Sequence, residues 1–238
     1  MRTGADDTGG ERAILWDNDG VLVDTEKVFF EANRRELAAL GIEASWADFE
    51  EISLRRGNSL LTLSGLDGDD LRALYARRDA LYSQLLRSEE IAIGGMDELL
   101  SRLAPRFRMG IVTSSHREHF ELIHTRSGLL RHFAFHVVRE DYARSKPHPD
   151  GYLAGIGRTG LPPQRCLAVE DSPRGVASAR AAGLEVVFFA PGGVGSERDV
   201  GPVFARAESA AGLEEALDEW AGRQAPLANQ NPESFPEG

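Results

Sequence analysis

The first apolar run of the chain stops abruptly at an acidic residue. Residues 13–16 read Ala-Ile-Leu-Trp, and Asp17 follows directly. A short run that is apolar at every position is typical of a strand buried on both faces of a parallel sheet. The pattern therefore predicts a buried strand whose carboxyl end delivers Asp17 to the edge of a sheet.

Between residues 26 and 86 the apolar positions follow a helical period. Val28 and Leu37 belong to one such series, and Gly41 is a helix stop signal that follows it. Leucines between residues 71 and 86 continue the same period in a later helix. Since no part of this stretch alternates as a strand does, we predict an all-helical insertion.

After Gly94-Gly95 the pattern alternates between strands and helices. The predicted strands are residues 109–112, 135–138, 166–169 and 185–190, and the predicted helices are residues 99–103, 119–129, 152–160 and 175–182. This alternation predicts an α/β fold with a doubly wound, parallel, Rossmann-like sheet and right-handed crossovers. Ligands of such sheets bind beyond the carboxyl ends of the strands.

These patterns divide the chain into a core and an insertion. The predicted core comprises residues 12–24 and 92–222, and the predicted insertion comprises residues 25–91. Residues 1–11 and 223–238 are polar, lack a periodic apolar pattern, and are predicted to be flexible tails.

Charge and composition narrow the functional classes. The formal net charge of −11 argues against nucleic acid as a partner, because phosphate backbones attract basic surfaces. No apolar run is long enough to span a bilayer, and the polar start of the chain lacks a signal-peptide pattern. The single cysteine, Cys166, fits a reducing compartment. We therefore expect a cytoplasmic protein without a membrane partner.

Acidic pairs follow two of the predicted strands. Asp17 and Asp19 can face one pocket if the chain turns at Gly20, although Asp-x-Asp-Gly alone is equally consistent with a simple tight turn. A second pair, Glu170 and Asp171, follows another strand. Clustered carboxylates repel one another unless a cation neutralises them, and hard oxygen ligands suit Mg²⁺. The sequence therefore predicts a magnesium site at this edge.

The other two strand ends offer groups that bind phosphate. Lys146 can supply positive charge to a phosphoryl group, although an isolated lysine is usually a solvated surface residue. Thr113 and Ser114 precede a predicted helix, whose N-terminal dipole favours anions, and they are equally suited to plain N-capping. Together with the carboxylates, these residues form a set suited to phosphoryl transfer.

Taken together, these motifs resemble the four ordered motifs of the haloacid dehalogenase superfamily, and within it the branch of β-phosphoglucomutases and small phosphatases. The matching segments are Asp17-x-Asp19-Gly20-Val21-Leu22-Val23-Asp24-Thr25, Thr113, Lys146-Pro147-x-Pro149-Asp150 and Glu170-Asp171-Ser172-x-x-Gly175. The resemblance covers roughly residues 12–222. It implies a Rossmann-like core with an inserted all-helical cap domain, Mg²⁺ as cofactor, and a small phosphorylated metabolite, such as a sugar phosphate, as substrate.

The resemblance also implies roles for the core residues. Asp17 would be the nucleophile that carries the phosphoryl group, and Asp19 would act first as acid and then as base. The predicted metal ligands are Asp17, the backbone carbonyl of Asp19, Asp171 and, directly or one contact further out, Glu170. Lys146 would bridge Asp17 and the phosphoryl group.

Further residues are implied to bind the substrate. Thr113 and Ser114 would bind the phosphoryl oxygens. Thr25, Arg56 and Arg78 would contact the rest of the substrate, although Arg77 competes with Arg78 for that position.

Two positions bear on the reaction. Dehalogenases and phosphonatases of this superfamily lack a carboxylate at the position of Asp19, so its presence favours a phosphate ester. The β-phosphoglucomutases carry a cap histidine at the position of Phe29. We therefore expect a phosphatase, with a phosphosugar mutase as the alternative, in a monomer or weak homodimer. A signalling receiver and a catalytically silent phosphate binder fit the motifs less well.

Overall fold

The computed structural model describes residues 11–88 and 91–223. Its strands are β1 (Ala13–Trp16), β2 (Arg108–Val112), β3 (Phe135–Val137), β4 (Cys166–Glu170), β5 (Glu185–Phe189) and β6 (Ala205–Ala207). Its α-helices are α1 (Glu26–Ala38), α2 (Trp46–Phe49), α3 (Gly68–Ser88), α4 (Met96–Leu103), α5 (Arg117–Ser127), α6 (Asp150–Thr159), α7 (Pro173–Ala181) and α8 (Ala210–Gly222). The predicted tails lie outside the described residues, apart from residues 11 and 223.

The strands form one parallel sheet with the order β3-β2-β1-β4-β5-β6. In the centre, Trp16 of β1 is in register with Ile111 of β2 and Val169 of β4. The strand order reverses between β1 and β4, and in doubly wound sheets this switch point opens the crevice that binds ligands. The fold class predicted from the sequence is confirmed.

Alternate residues of β1 feed two hydrophobic cores, one on each face of the sheet. Ile14 and Trp16 pack into the cluster that includes residues of α4, α5 and α8. Ala13 and Leu15 pack on the opposite face with residues of α6 and α7. All four are completely buried. Because side chains of a strand alternate between faces, this double burial explains why every position of the run is apolar.

The segment between β1 and β2 is built from helices. A π-helical turn (Glu50–Arg55) continues α2, and a 3₁₀ turn (Leu60–Ser64) precedes α3. These elements enclose a separate apolar cluster of Leu37, Phe49, Leu60, Leu61 and Leu74. The backbone N–H of Asp24 donates to the carbonyl of Ile91 at 2.8 Å, so the chain leaves and re-enters the sheet side by side.

Two C-terminal elements were not among the predicted ones. Strand β6 is only three residues long, reads Ala-Arg-Ala and lies at the edge of the sheet, so it leaves no apolar run. Helix α8 does carry a helical pattern, because Leu213, Leu217 and Trp220 are buried on one face. None of the described helices has both the length and the apolar character needed to cross a membrane.

Candidate active site

Asp17 is the first residue beyond β1, at the switch point of the sheet. Its backbone N–H continues the ladder by donating to the carbonyl of Val169 at 2.9 Å. Its side chain is buried and meets the end of β4, where Glu170 and Asp171 lie. One carboxylate oxygen from each of these three residues lies within 4.8 Å of the others. The parallel strands therefore bring together the two acidic motifs, as the sequence indicated.

Lys146 enters this cluster from the loop before α6. Its Nζ contacts Asp17 Oδ1 at 2.7 Å, Glu170 Oε1 at 2.6 Å and the carbonyl of Val112 at 3.1 Å. An ammonium carries three hydrogens, so all of its donors are used. Burial opposes the charge of Lys146, but the two carboxylates outweigh this effect and raise its pKa. The lysine is therefore a fixed cation between two anions.

One ammonium does not balance three carboxylates. Burial and the negative charge of Glu170 raise the pKa of Asp17 to about 7, although Lys146 opposes the shift. Burial and the nearby carboxylates Glu26 and Asp17 likewise raise the pKa of Asp171. Asp17 and Asp171 are thus held at an electrostatic cost that an added cation would lower.

The carboxylate oxygens differ in what they contact. Glu170 is saturated: Oε1 accepts from Lys146 and the hydroxyl of Tyr152, and Oε2 from the Asp171 N–H and the Ser172 hydroxyl. Within residues 11–88 and 91–223, no donor reaches Asp17 Oδ2 or the side-chain oxygens of Asp171. The free oxygens of this cluster therefore belong to the two aspartates that line the cavity.

Two glycines allow the acidic loops to approach so closely. Gly20 has a φ of +81°, and a Cβ there would lie 2.0 Å from Asp171 Oδ2. A Cβ on Gly175 would lie 2.0 Å from Glu170 Oε2. Any other residue would collide with a carboxylate, and at Gly20 it would also be strained. The Asp-x-Asp-Gly turn thus serves the cluster as well as the chain reversal.

Three hydroxyl groups surround the Asp19 carboxylate, and we call this set the hydroxyl cup. Thr25 Oγ1 donates to Asp19 Oδ1, while Ser115 Oγ donates to Oδ2 at 2.7 Å and Thr113 Oγ1 to Oδ2 at 3.2 Å. Hydroxyls can donate or accept, so this cup can hold the side chain in either protonation state. Thr25 and Thr113 were predicted site residues, whereas Ser115 was not.

A cavity of about 500 Å³ separates the sheet edge from the helical insertion. Asp17, Asp19, Ser114, Ser115, Lys146 and Asp171 line it on the sheet side, and Phe29, Phe49, Ser53, Tyr75, Arg78 and Tyr82 line it on the insertion side. The sheet side supplies most of the charged groups. The insertion side supplies aromatic rings, the guanidinium of Arg78 and the carboxylates of Glu26 and Asp79. We call these two sides of the cavity the sheet wall and the insertion wall. The sheet wall carries the groups suited to the reaction, and the insertion wall carries groups suited to substrate recognition.

The predicted arginines of the insertion occupy different places. Arg78 is buried, pairs with Asp79 Oδ1 at 2.7 Å, donates to Asn33 Oδ1 at 3.1 Å and lies over the ring of Phe29. Arg77, its competitor, points away and pairs with Glu36. The side chain of Arg56 is 63% exposed, pairs with Glu51 and is not among the residues lining the cavity. The structure thus brings Arg78, but not Arg56, to the cavity.

Comparison with known proteins places this architecture in a family. The model of the haloacid dehalogenase-like hydrolases matches residues 11–183, well over half of the chain. The chain belongs to the haloacid dehalogenase-like hydrolase family. The resemblance drawn from the four sequence motifs is confirmed, and the chain is an enzyme of this hydrolase class.

Individual relatives of this hydrolase include phosphatases. Protein CbbY of Rhodobacter capsulatus is 33% identical over 191 residues, covering 74% of this chain and 84% of that one. Hexitol phosphatase A of Escherichia coli K12 is 32% identical over 183 residues, covering 74% and 82%. The crystal structure of CbbY from Rhodobacter sphaeroides in complex with phosphate has a TM-score of 0.73 at 24% identity, covers 87% of this chain and 99% of that one, and shows a shared fold.

The hydrolase's site also contains residues that were not predicted from the sequence, among them Ser115, Tyr152 and Ser53. Ser115 directly follows Thr113 and Ser114, the predicted pair at the end of β2, and this position next to predicted site residues could have indicated it. Tyr152 lies on α6, and nothing in its local pattern indicates a contact with Glu170. Ser53, in the π-helical turn, lines the cavity, and its Oγ is buried without a partner among the described residues. An unsatisfied buried hydroxyl is costly, so Ser53 is a candidate contact for a ligand.

Proposed function

We propose that this hydrolase is a Mg²⁺-dependent phosphatase that acts on a small phosphorylated metabolite through a phosphoaspartate on Asp17. The observation that carries the proposal is the buried carboxylate cluster. Asp17 and Asp171 present free oxygens to the cavity, and Lys146 is the ammonium bound in the cluster. This arrangement supports an ion and a phosphoryl group at the same end of the cavity.

The donor set fits magnesium. All the free ligands are carboxylate oxygens, which Mg²⁺ prefers, and the excess negative charge calls for a cation. Asp17 and Asp171 would hold the ion, with the backbone carbonyl of Asp19 as the family resemblance implies. Glu170, whose oxygens are already occupied, would act through Lys146 and Tyr152. When bound, Mg²⁺ would supply charge neutralisation to the phosphoryl oxygens.

The chemistry divides into two transfers. In the first, a carboxylate oxygen of Asp17 attacks phosphorus, the bond from phosphorus to the ester oxygen breaks, and Asp19 gives its proton to that oxygen. In the second, Asp19 takes a proton from water, and the water oxygen attacks the phosphoaspartate. This step releases phosphate and restores the Asp17 carboxylate. The hydroxyl cup around Asp19 supports both of its protonation states.

The positive charge of Lys146 and the N-terminus of α5 next to Ser114 would hold the phosphoryl oxygens. Lys146 lies 2.7 Å from Asp17 and is already oriented towards it. Ser114 lines the cavity close to the N-terminus of α5, whose dipole favours an anion, and Thr113 adjoins it. We assign Ser114 to binding the phosphoryl oxygens and Lys146 to neutralising their charge. The Thr113 hydroxyl donates to Asp19 and Thr113 is not among the residues lining the cavity, so its contact with the phosphoryl group stays a prediction. Positioning and charge neutralisation carry most of the catalysis in phosphoryl transfer.

The cavity suits a phosphorylated carbohydrate. Its volume of about 500 Å³ is within the usual range for small-molecule sites. Arg78 and Ser53 on the insertion wall, and Thr25 beside Asp19, offer polar contacts to hydroxyl or anionic groups. The relatives include a protein named hexitol phosphatase, which agrees with this substrate class. A contact from Arg56 stays a prediction that requires the insertion to shift.

We further propose that residues 25–91 act as a mobile cap on the core formed by residues 12–24 and 92–222. The insertion has an apolar cluster of its own, and its two connections run side by side at Asp24 and Ile91. Segments near Asp24 and Gly94-Gly95 would serve as hinges. Closure would exclude bulk water from the cavity.

The alternative is a phosphosugar mutase, which would have to exclude water while the phosphoenzyme persists. Phe29 lines the cavity at the position where the mutases of the resemblance carry a histidine. A phenylalanine cannot exchange protons with a sugar hydroxyl. This residue favours hydrolysis over the mutase reaction.

The test is phosphate release from a panel of small phosphate esters with and without Mg²⁺. We expect release that requires Mg²⁺, is lost in Asp17→Asn and is kept in Asp70→Asn, an exposed aspartate outside the cavity. Reduction of the quenched reaction with borohydride should convert residue 17 to homoserine, detectable by mass spectrometry. Full activity of Asp17→Asn would refute the phosphoaspartate, and isomerised sugar phosphate formed faster than free phosphate would favour the mutase.

A further inference from the structure

Asn18, the residue between the two aspartates, makes a buried contact outside the site described above. Its side-chain Oδ1 lies 2.8 Å from Nε2 of His124, a residue of α5, and its Nδ2 lies 3.4 Å from Asp19 Oδ2. The other ring nitrogen of His124, Nδ1, lies 2.8 Å from Ser127 Oγ. Asn18 and His124 are both buried. A continuous polar chain therefore leads from the end of α5 to the Asp19 carboxylate.

The chemistry of the groups fixes the direction of this chain. An ionised carboxylate only accepts, so the Asn18 amide must turn its NH₂ towards Asp19 and its oxygen towards His124. His124 Nε2 must then carry a hydrogen, and its Nδ1 accepts from the Ser127 hydroxyl. Burial lowers the pKa of His124 to about 4, so the ring is neutral near pH 7, as this arrangement requires. Every donor points towards Asp19.

We propose that Asn18 and His124 form a positioning relay that orients the Asp19 carboxylate for proton transfer. The inference rests on the phosphatase function proposed above, because it concerns the acid of that reaction. The 3.4 Å contact between Asn18 and Asp19 is long, but hydrogen bonds of catalytic groups often tighten only when substrate is bound. The relay supplements the hydroxyl cup.

The turn itself does not need the Asn18 side chain. The backbone carbonyl of Asn18 accepts from the N–H groups of Leu22 at 2.8 Å and Val23 at 3.2 Å, which closes the turn through main-chain atoms. A leucine at position 18 can make the same backbone bonds. The polar side chain is therefore free to serve Asp19.

The test compares two esters in four variants: Asn18→Leu, His124→Leu, the double variant with both changes, and His124→Gln. An alkyl phosphate requires protonation of its leaving oxygen, whereas p-nitrophenyl phosphate releases a stable phenolate. The double variant removes both buried partners, so it leaves neither unsatisfied and should melt at a higher temperature than the less stable single variant. His124→Gln keeps an N–H near the position of Nε2.

We expect the double variant to lose about tenfold in kcat/KM on the alkyl ester and less than about twofold on p-nitrophenyl phosphate. His124→Gln should retain most of the alkyl activity. Equal losses on both esters, or recovery of alkyl activity together with stability in the double variant, would mean that the chain only supports the fold and would overturn the relay. A wild type inactive on every ester would overturn the proposed function, and the relay with it.

Discussion

The two walls of the cavity are built on different principles. On the sheet wall, Asp17, Lys146 and Glu170 are buried, and Lys146 donates to Asp17 at 2.7 Å and to Glu170 at 2.6 Å. On the insertion wall, the Ser53 hydroxyl has no partner among the described residues, and elsewhere on the insertion Arg56 lies outside the cavity and is turned to solvent. The contacts of the sheet wall are formed before any ligand arrives, whereas the insertion has polar groups that are not yet used in contacts within the cavity. We infer that reaction type resides in the first wall and substrate choice in the second.

The largest expected effect concerns the cation of the sheet wall. Lys146→Met leaves Asp17 and Glu170 facing each other without their shared counter-charge. Loss of one partner from a buried ion pair costs about 3–5 kcal/mol of the free energy of unfolding. Urea unfolding of the metal-free protein measures this loss of stability. The measurement is made at about pH 8, because at lower pH the carboxylates can take up protons and relieve their repulsion. Phosphate release should be abolished as well.

The matched control is Lys27→Met. Lys27 pairs with Asp24 at 2.6 Å, but its side chain is 73% exposed. An exposed pair of this kind contributes about 0–1 kcal/mol. Equal stability of the two lysine variants would contradict the view that the sheet wall depends on a buried counter-ion.

The next effect concerns the pH dependence of stability and His124. Burial lowers its pKa from 6.5 to about 4, more than the Asp19 carboxylate raises it. Unfolded chains therefore bind a proton near pH 6.5 that the folded chain binds only near pH 4. As the pH falls through this window, this residue removes about 3 kcal/mol from the free energy of unfolding.

His124→Gln should lose this contribution. Its stability relative to wild type should therefore improve as the pH falls from 7 to 4.5, by up to the same amount. Chemical unfolding at several pH values measures the difference, and His148→Gln, at an exposed position, is the control. A pH-independent difference between wild type and His124→Gln would contradict the buried neutral histidine.

A smaller effect tests the free oxygens of the sheet wall. Asp171→Asn removes one of the mutually repelling carboxylates, so the metal-free protein should become more stable. In wild type, Mg²⁺ at about 100 times its Kd should add about 2.7 kcal/mol to the free energy of unfolding. The variant should lose most of that gain, so the order of stability should reverse when Mg²⁺ is added. Thermal unfolding with and without Mg²⁺ checks this, and an unchanged gain in Asp171→Asn would place the ion elsewhere.

The residues of the sheet wall could be predicted from the sequence because the topology of the sheet determines where they lie. Buried parallel strands end at one edge, so the residues that follow them converge whatever the details of packing. Asp17, Lys146 and Asp171 were found in this way and are close together in the structure. The contact between Asn18 and His124 could not be foreseen, because it spans 106 residues and depends on the rotation of α5.

The insertion wall depends on helix rotation, which sequence fixes less firmly. Leu74, Arg78 and Tyr82 are spaced by four residues and are all buried on one face of α3. That spacing would have separated Arg78 from Arg77. No such pattern exists for Arg56, which lies just beyond a π-helical turn that the apolar period does not predict.

The smallest expected effect decides between these arginines. Arg78→Met keeps much of the aliphatic stem against Phe29 but removes the guanidinium from the cavity. If the group binds the substrate equally in the ground and transition states, KM should rise about tenfold, or about 1.4 kcal/mol, with kcat little changed. Arg77→Met, which loses an exposed pair with Glu36, is the control and should behave as wild type.

Arg56→Met tests, in the same assay, whether Arg56 contacts the substrate after a movement of the insertion. With Arg56 paired to Glu51 and outside the cavity, the present arrangement predicts kinetic constants within about twofold of wild type. A rise in KM comparable to that of Arg78→Met would show that the cap moves Arg56 onto the substrate on closure. Substrate choice would then depend on a conformation that only the ligand stabilises, whereas the sheet wall would stay as it is.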